Sequence, residues 1–290
     1  MLYSTLIISF DLCFQYLFKF NIIGLPIDPN HGLSRASSFF RDELIAGAYI
    51  LKFSLPVIGY YLFKNKFIFS YALILIYLLA IIFSGERMSF LLYGLGIFIL
   101  LIFYNNFEEK IIIIFSILIL SVLSFYLFDG VKKRTDSFIV SLGLKEEKLR
   151  DFGHPAHYMT AYEIFKKNIL TGTGHKTFRI ECDDKKIREK INSKSEGCTT
   201  HPHNNYLEMM SDSGLIGLTG FILFGLFVII KSIKNKILFS EKNGFLVSAI
   251  IIFWPISSAG NFFNNRIAIT NFLIFGILLY FCKKDIFLKD

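Results

Sequence analysis

Long apolar runs recur along this chain at 2-18, 43-63, 67-84, 88-104, 111-128, 214-231, 245-262 and 267-282. Each approaches the ~20 residues that a helix needs to cross about 30 Å of hydrocarbon. Inside a bilayer every backbone donor and acceptor must be satisfied within its own segment, so runs of this kind are helices. The expected fold class is therefore all-α: a polytopic transmembrane helix bundle of about seven to eight spans. The first run is the weakest, because Asp11 and Gln15 sit inside it. Composition agrees, since 53% of the 290 residues are hydrophobic, 34 are Phe and the mean hydropathy is +0.53, too apolar for an ordinary soluble domain. A net charge of +8 would point to nucleic acid in a soluble protein, but here the lysines flank apolar runs, which excludes that partner. The first ten residues lack the basic region and small-residue cleavage site of a signal peptide.

Basic residues in short loops collect on the cytoplasmic side. Lys64 and Lys66, Lys110, Lys231, Lys234 and Lys236, and Lys283 and Lys284 all fall on one side by this rule. Residues 19-42, the Ser84-Gly85-Glu86-Arg87 turn, the loop 129-213 and Asn264-Asn265-Arg266 then share the exported face. The chain divides into N-terminal spans over 1-128, a loop domain over 129-213 and C-terminal spans over 214-290. The loop is the one segment of soluble composition, and at its length it translocates despite its lysines. Tyr158, Met159, Tyr162 and Phe165 recur at helical spacing. Thr171-Gly172-Thr173-Gly174 reads as a turn, and the charged run from Asp183 to Lys194 as a hairpin or short helix.

Four cysteines are present. Cys13 and Cys282 lie in apolar spans and read as small buried residues. Cys182 and Cys198 flank the charged run in the exported loop, where a disulfide would contribute about 3 kcal/mol and tether the segment before His201.

Polar chemistry concentrates in Thr200-His201-Pro202-His203-Asn204. Proline suits the first turn of a helix, with Thr200 or His201 as its cap and Gly214 as its stop. His203 near the positive end of that helix stays neutral and able to accept a proton, and such an end attracts phosphate. The plainer alternative is that both histidines only cap the helix. His154, His157, His201 and His203 match no recognised zinc spacing, so no metal is expected. Arg87, an ionisable residue at the edge of a span, is a functional candidate whose fork of donors matches phosphate oxygens; the alternative is an interfacial anchor paired with Glu86. Arg35 and Arg41 share its face and divide between added charge and surface anchoring. A base, a phosphate-binding arginine and an exported opening together suggest transfer of a group from a lipid-linked phosphate donor.

His203-Asn204, nine residues, Gly214, two residues and Gly217 form a motif that resembles that of O-antigen ligases, within the larger ligase and polymerase membrane family. Arg35 with Phe39-Phe40-Arg41-Asp42-Glu43-Leu44, then Gly85-Glu86-Arg87, then Ala161-Tyr162-Glu163-Ile164-Phe165 with Gly172-Thr173-Gly174 follow in the family's order over roughly residues 10 to 265. The resemblance implies a multi-pass glycosyltransferase of the bacterial inner membrane with its large, mainly helical loop in the periplasm. It would move a glycan from undecaprenyl diphosphate to a lipid A-core acceptor, inverting at the anomeric carbon and using no metal or other cofactor. On matching positions, His203 would deprotonate the acceptor hydroxyl. Arg87, with Arg35 or Arg41, would hold the donor diphosphate, and His201, Asn204, Gly214 and Gly217 would line the substrate site. Relatives carry further spans ahead of the segment matching residues 1 to 20, which implies a shortened chain and a partner supplying the missing spans. A polymerase or a protein O-glycosyltransferase of the same family, or a non-catalytic glycolipid-binding membrane protein, are the alternatives.

Overall fold

A computed structural model describes residues 1–27, 35–41, 43–139, 153–191, 197–256 and 260–287. Asp42 of the resemblance motif and the end of the charged run, from residue 192, lie outside them, as does the side chain of His154. Among the described residues the elements are helices: α1 Leu2–Phe18, α2 Ala46–Phe63, α3 Phe67–Ser84, α4 Arg87–Ile102, α5 Phe107–Leu127, α6 Asp129–Ile139, α7 Gly153–Phe165, α8 Phe178–Glu181, α9 Lys185–Ile191, α10 Asn205–Lys234, α11 Asn243–Ile252 and α12 Asn265–Phe287. Five of them, α2, α3, α5, α10 and α12, are long and apolar enough to cross a membrane, while α1, α4 and α11 are apolar but shorter.

One expectation from hydropathy changes. The apolar run at 245-262 does not form one span: α11 stops at Ile252 and a turn carries Phe253 and Trp254 into Pro255. Proline disfavours helical backbone at the residue before it and lacks a donor of its own, so hydropathy continues where the helix stops. The charged run forms the short helix α9, one of the two forms expected for it.

The chain forms two compact units, one of Met1–Asp136, Ile229–Ile252 and Leu273–Asp290 and the other of Ser137–Val228 and Phe253–Phe272. In the first, α2 is the central helix, packed by α1, α3, α4 and α11 and buried on most of its faces. Pro56 inside it deprives the Lys52 carbonyl of its helical donor; the Ser248 hydroxyl of α11 donates to that carbonyl at 2.8 Å instead. Such rescue by a neighbouring helix is what makes proline tolerable in a span. α1 is a regular helix despite its polar residues, and both Asp11 and Gln15 are completely buried within it.

In the second unit Ala156, Ala161 and Ile164 of α7 pack with Phe178, Cys182, Ile187 and Ile191 into a small core that Cys198 and Leu207 cover. A disulfide joins Cys182 to Cys198 across 16 positions, so the strand of chain leading to His201 is fastened to the end of α8. Replacing both cysteines by serine is expected to remove about 3 kcal/mol and to speed backbone hydrogen exchange at residues 197–203 specifically. Uniform exchange in both proteins would contradict that anchoring.

α10 breaks at Gly214, whose φ of 62° and ψ of −159° are non-helical. The break leaves the Leu215 and Ile216 amides without helical acceptors, and they donate to the carbonyls of Ile169 and Leu170 at 2.9 and 3.2 Å. From there the turn containing Gly172 and Gly174 lies along α10: Thr173 N donates to Ser211 O at 3.1 Å and Gly174 N to Asp212 O at 2.9 Å. A Cβ on residue 214 would stand 2.4 Å from the Leu170 oxygen. Gly214→Ala therefore meets both a left-handed backbone and a backbone clash, and is expected to lower stability by about 2–4 kcal/mol. A thermal midpoint in detergent equal to that of the wild type would overturn this account.

Candidate functional site

The first unit brings arginines together at the turn between α3 and α4. α3 ends on Gly85 in left-handed backbone, φ 67°, and Ala36 N donates to Phe83 O at 3.1 Å, which brings the 35–41 segment to the same turn. A Cβ at Gly85 would meet Arg35 Cγ and Arg134 Nε, both at 3.0 Å. Arg87, the first residue of α4, is near enough that its charge lowers the pKa of Arg35 and of Arg134. Three arginines thus converge on one turn.

Glu86, a carboxylate near them among the described residues, is already engaged. Glu86 does not serve as a simple ion-pair partner for Arg87: its Oε1 accepts from Gly47 N at 2.7 Å and its Oε2 from Ala48 N at 3.0 Å and from Ser89 Oγ at 2.8 Å. It closes the otherwise open amides at the start of α2, a position that favours negative charge. Burial pushes the Glu86 carboxyl above its ordinary value, and these donors together with the Arg35 charge pull it back. Burial, then the Arg35 and Arg87 charges, push Arg134 down to about 10; burial also lowers Arg35, with Glu86 opposing and Arg87 adding to the shift. All three guanidiniums stay charged at neutral pH. The Nε atoms of Arg35 and Arg134 are buried with no hydrogen-bond partner, a costly arrangement that an anion would relieve. Arg41 does not share this shelter, being exposed at the end of the Ser38–Phe40 turn.

Sequence reasoning missed Arg134. It stands in α6 directly after Lys132 and Lys133, which are exposed while Arg134 is half-buried, and charge counting treats the three alike.

In the second unit the helix start differs from expectation. α10 begins at Asn205, and the cap is Asn204 rather than Thr200 or His201: its Oδ1 accepts from Tyr206 N at 3.0 Å and Leu207 N at 3.1 Å. Pro202 lies ahead of the helix, because His203 takes left-handed backbone, φ 58°, and interrupts it. A non-glycine residue held there is unusual and is tolerated only where its surroundings fix it. They do: Asn204 Nδ2 donates to Pro255 O at 2.8 Å and the Tyr206 hydroxyl to Phe253 O at 2.6 Å. One turn on, Glu208 Oε2 accepts from Phe262 N at 3.0 Å.

The His203 ring centroid is 4.2 Å from that of His201 and 5.4 Å from that of the buried His157 on α7. His201 Nδ1 shares a hydrogen bond of 2.8 Å with the Thr200 hydroxyl. Gly214 and Gly217 meet the chain itself, through Leu170 and Ser213. Cys182, Asp183 and Cys198 group at ligand spacing, but the two sulfurs bond each other and offer no thiolate to a metal.

Among the described residues the chain is all-helical, with several apolar helices of membrane-crossing length, which defines a multi-pass membrane protein. Its residues 72–222 match the family model described as O-antigen ligase, and the chain belongs to that family, a group of membrane glycosyltransferases of the ligase and polymerase type. No curated protein shows significant similarity to it.

Proposed function

We propose that this protein is an O-antigen ligase: it transfers a glycan from undecaprenyl diphosphate to a hydroxyl of the lipid A-core on the periplasmic face of the inner membrane, through a bundle of seven to eight spans. The observation that carries the reading is the cluster of Arg35, Arg87 and Arg134 about Gly85, three fixed cations of which two keep buried, unmatched donors. Guanidinium forks are shaped for phosphate oxygens. They would hold the donor diphosphate and stabilise the charge that grows on it as it leaves.

In the reaction, the acceptor hydroxyl oxygen forms a bond to the anomeric carbon as the bond from that carbon to the diphosphate oxygen breaks. The hydroxyl proton passes to the imidazole of His203, and the electron pair of the broken bond departs with undecaprenyl diphosphate. One displacement inverts the anomeric centre and requires only a base and preorganised cations. Asn204 supports the base by capping α10 and bonding Pro255 O; His201 flanks it.

Lipopolysaccharide from a deletion strain tests the assignment. Intact core without polymer, with polymer accumulating on its lipid carrier, is the expected result. Core capped by a single repeat would instead make the chain a polymerase, and deficient glycoproteins would make it a protein O-glycosyltransferase.

A further inference from the structure

α1 carries polar side chains into the interior of the first unit, where Asp11 and Gln15 are fully buried. Placing a carboxylate and a carboxamide inside an apolar helix is costly unless every oxygen finds a donor. Here the donors come almost entirely from the segment that carries Arg35. Gln15 Oε1 accepts from Ser37 N at 2.9 Å and from Ser38 N at 2.7 Å. Asp11 Oδ2 accepts from the Ser38 hydroxyl at 2.5 Å, and its Oδ1 from Ile22 N at 2.8 Å. The segment so held is strained: Ser38 has φ 55°, a conformation a serine keeps only when its neighbours impose it. Ser37 and Ser38 are themselves buried, so the restraint acts two residues from Arg35 with no solvent to loosen it.

We propose that Asp11 and Gln15 are positioning residues of the diphosphate site, which fix the backbone after Arg35 so that its guanidinium stays beside Gly85 and Arg134. The inference rests on the reading of Arg35 as a phosphate ligand. Two anchors then define the Arg35 main chain, Phe83 O on α3 through Ala36 N and Gln15 on α1 through Ser37 and Ser38. Without the second, the arginine would still be charged but no longer preorganised.

The test is equilibrium binding of undecaprenyl diphosphate to the full chain in nanodiscs, with undecaprenol as the phosphate-free comparison. Gln15→Met keeps the side-chain length and deletes the acceptor; it is expected to weaken undecaprenyl diphosphate roughly tenfold, the scale of one charge-assisted hydrogen bond, and to leave undecaprenol unchanged. Arg35→Ala should lose at least as much, and the double variant no more than Arg35→Ala alone, because a residue acting through Arg35 has nothing left to position. A helix-packing control comes from Thr5→Val in α1, which breaks the buried 2.7 Å bond to Tyr77 of α3 and should bind like the wild type. Wild-type binding by Gln15→Met, losses that add in the double variant, or an equal loss in Thr5→Val would each overturn the positioning role. Wild-type binding by Arg35→Ala would instead remove Arg35 from the site and overturn the reading on which the role rests. Should Gln15→Met fail to accumulate, Ser38→Ala deletes the hydroxyl that meets Asp11 and no backbone donor; it is expected to weaken the same ligand several-fold, and no change would count against the proposal.

Discussion

Replacing His203 by alanine or glutamine is expected to lower glycan transfer by about 10²–10⁴-fold, the contribution of a general base, at unchanged protein level in the membrane. Glutamine is the sharper variant: it retains hydrogen-bonding groups of similar reach but takes no proton at neutral pH. The geometry argues for a difference between the two neighbouring histidines. His203 occupies left-handed backbone just ahead of α10, set by bonds from Asn204 and Tyr206 to the Pro255 and Phe253 carbonyls. His201 has a ring nitrogen committed to the Thr200 hydroxyl. His201→Ala should therefore cost under tenfold, consistent with a flanking role. Transfer of a labelled glycan by each variant decides the matter, and activity above a tenth of wild type in His203→Gln would end the case for His203 as the base.

The long apolar helices were legible from the sequence because their signal is local: α3 spans the same residues as the apolar run that announces it, and α5 differs by a few positions. What hydropathy misjudged depended on partners far along the chain. Asp11 and Gln15 looked like defects in a span, yet they are satisfied by amides and a hydroxyl 11 to 27 positions away. Pro255 ends α11 within a run that stays apolar, so a sum over residue types reads through the very feature that stops the helix. At the candidate sites, residue type pointed to Arg35, Arg87 and His203 because such residues are conspicuous at the ends of apolar spans. The conformation of His203 was hidden, since proline ahead of a helix pattern argues for an earlier start, and only the tertiary bonds from Asn204 and Tyr206 override it.

Glu86 shows how one residue couples the fold to the cationic site. An arginine cluster needs counter-charge to fold, but a carboxylate lying across the guanidiniums would compete with a diphosphate for the same donors. By closing the amides of Gly47 and Ala48 and the hydroxyl of Ser89, Glu86 lends its field to Arg35 while its oxygens point their lone pairs elsewhere. The cluster keeps a net positive charge and its donors.

Arg134→Ala is expected to lower turnover by about 10²–10³-fold, the range seen when one preorganised donor to a developing charge is removed. The argument begins with its cost in the free protein. Arg134 is half-buried beside two other arginines and its Nε lies buried with no partner, so folding alone gains nothing from placing it there. Removing it should relieve the repulsion on Arg35 and Arg87 and leave the thermal midpoint equal or raised. Loss of activity together with retained or higher stability is the signature of a residue kept for its ligand rather than for the fold. Arg134→Lys keeps the charge without the fork and should recover only part of the loss. Lys132→Ala and Lys133→Ala, adjacent in sequence but exposed, should leave turnover within a few-fold of wild type, as surface charges do. Single-turnover transfer with saturating lipid-linked donor separates the two stages: a smaller rate constant places Arg134 on the charge that grows on the leaving diphosphate, whereas an unchanged rate constant with weaker donor binding assigns it to the ground state. Wild-type values for both would remove Arg134 from the site, and a midpoint that falls with activity would make it a structural residue instead.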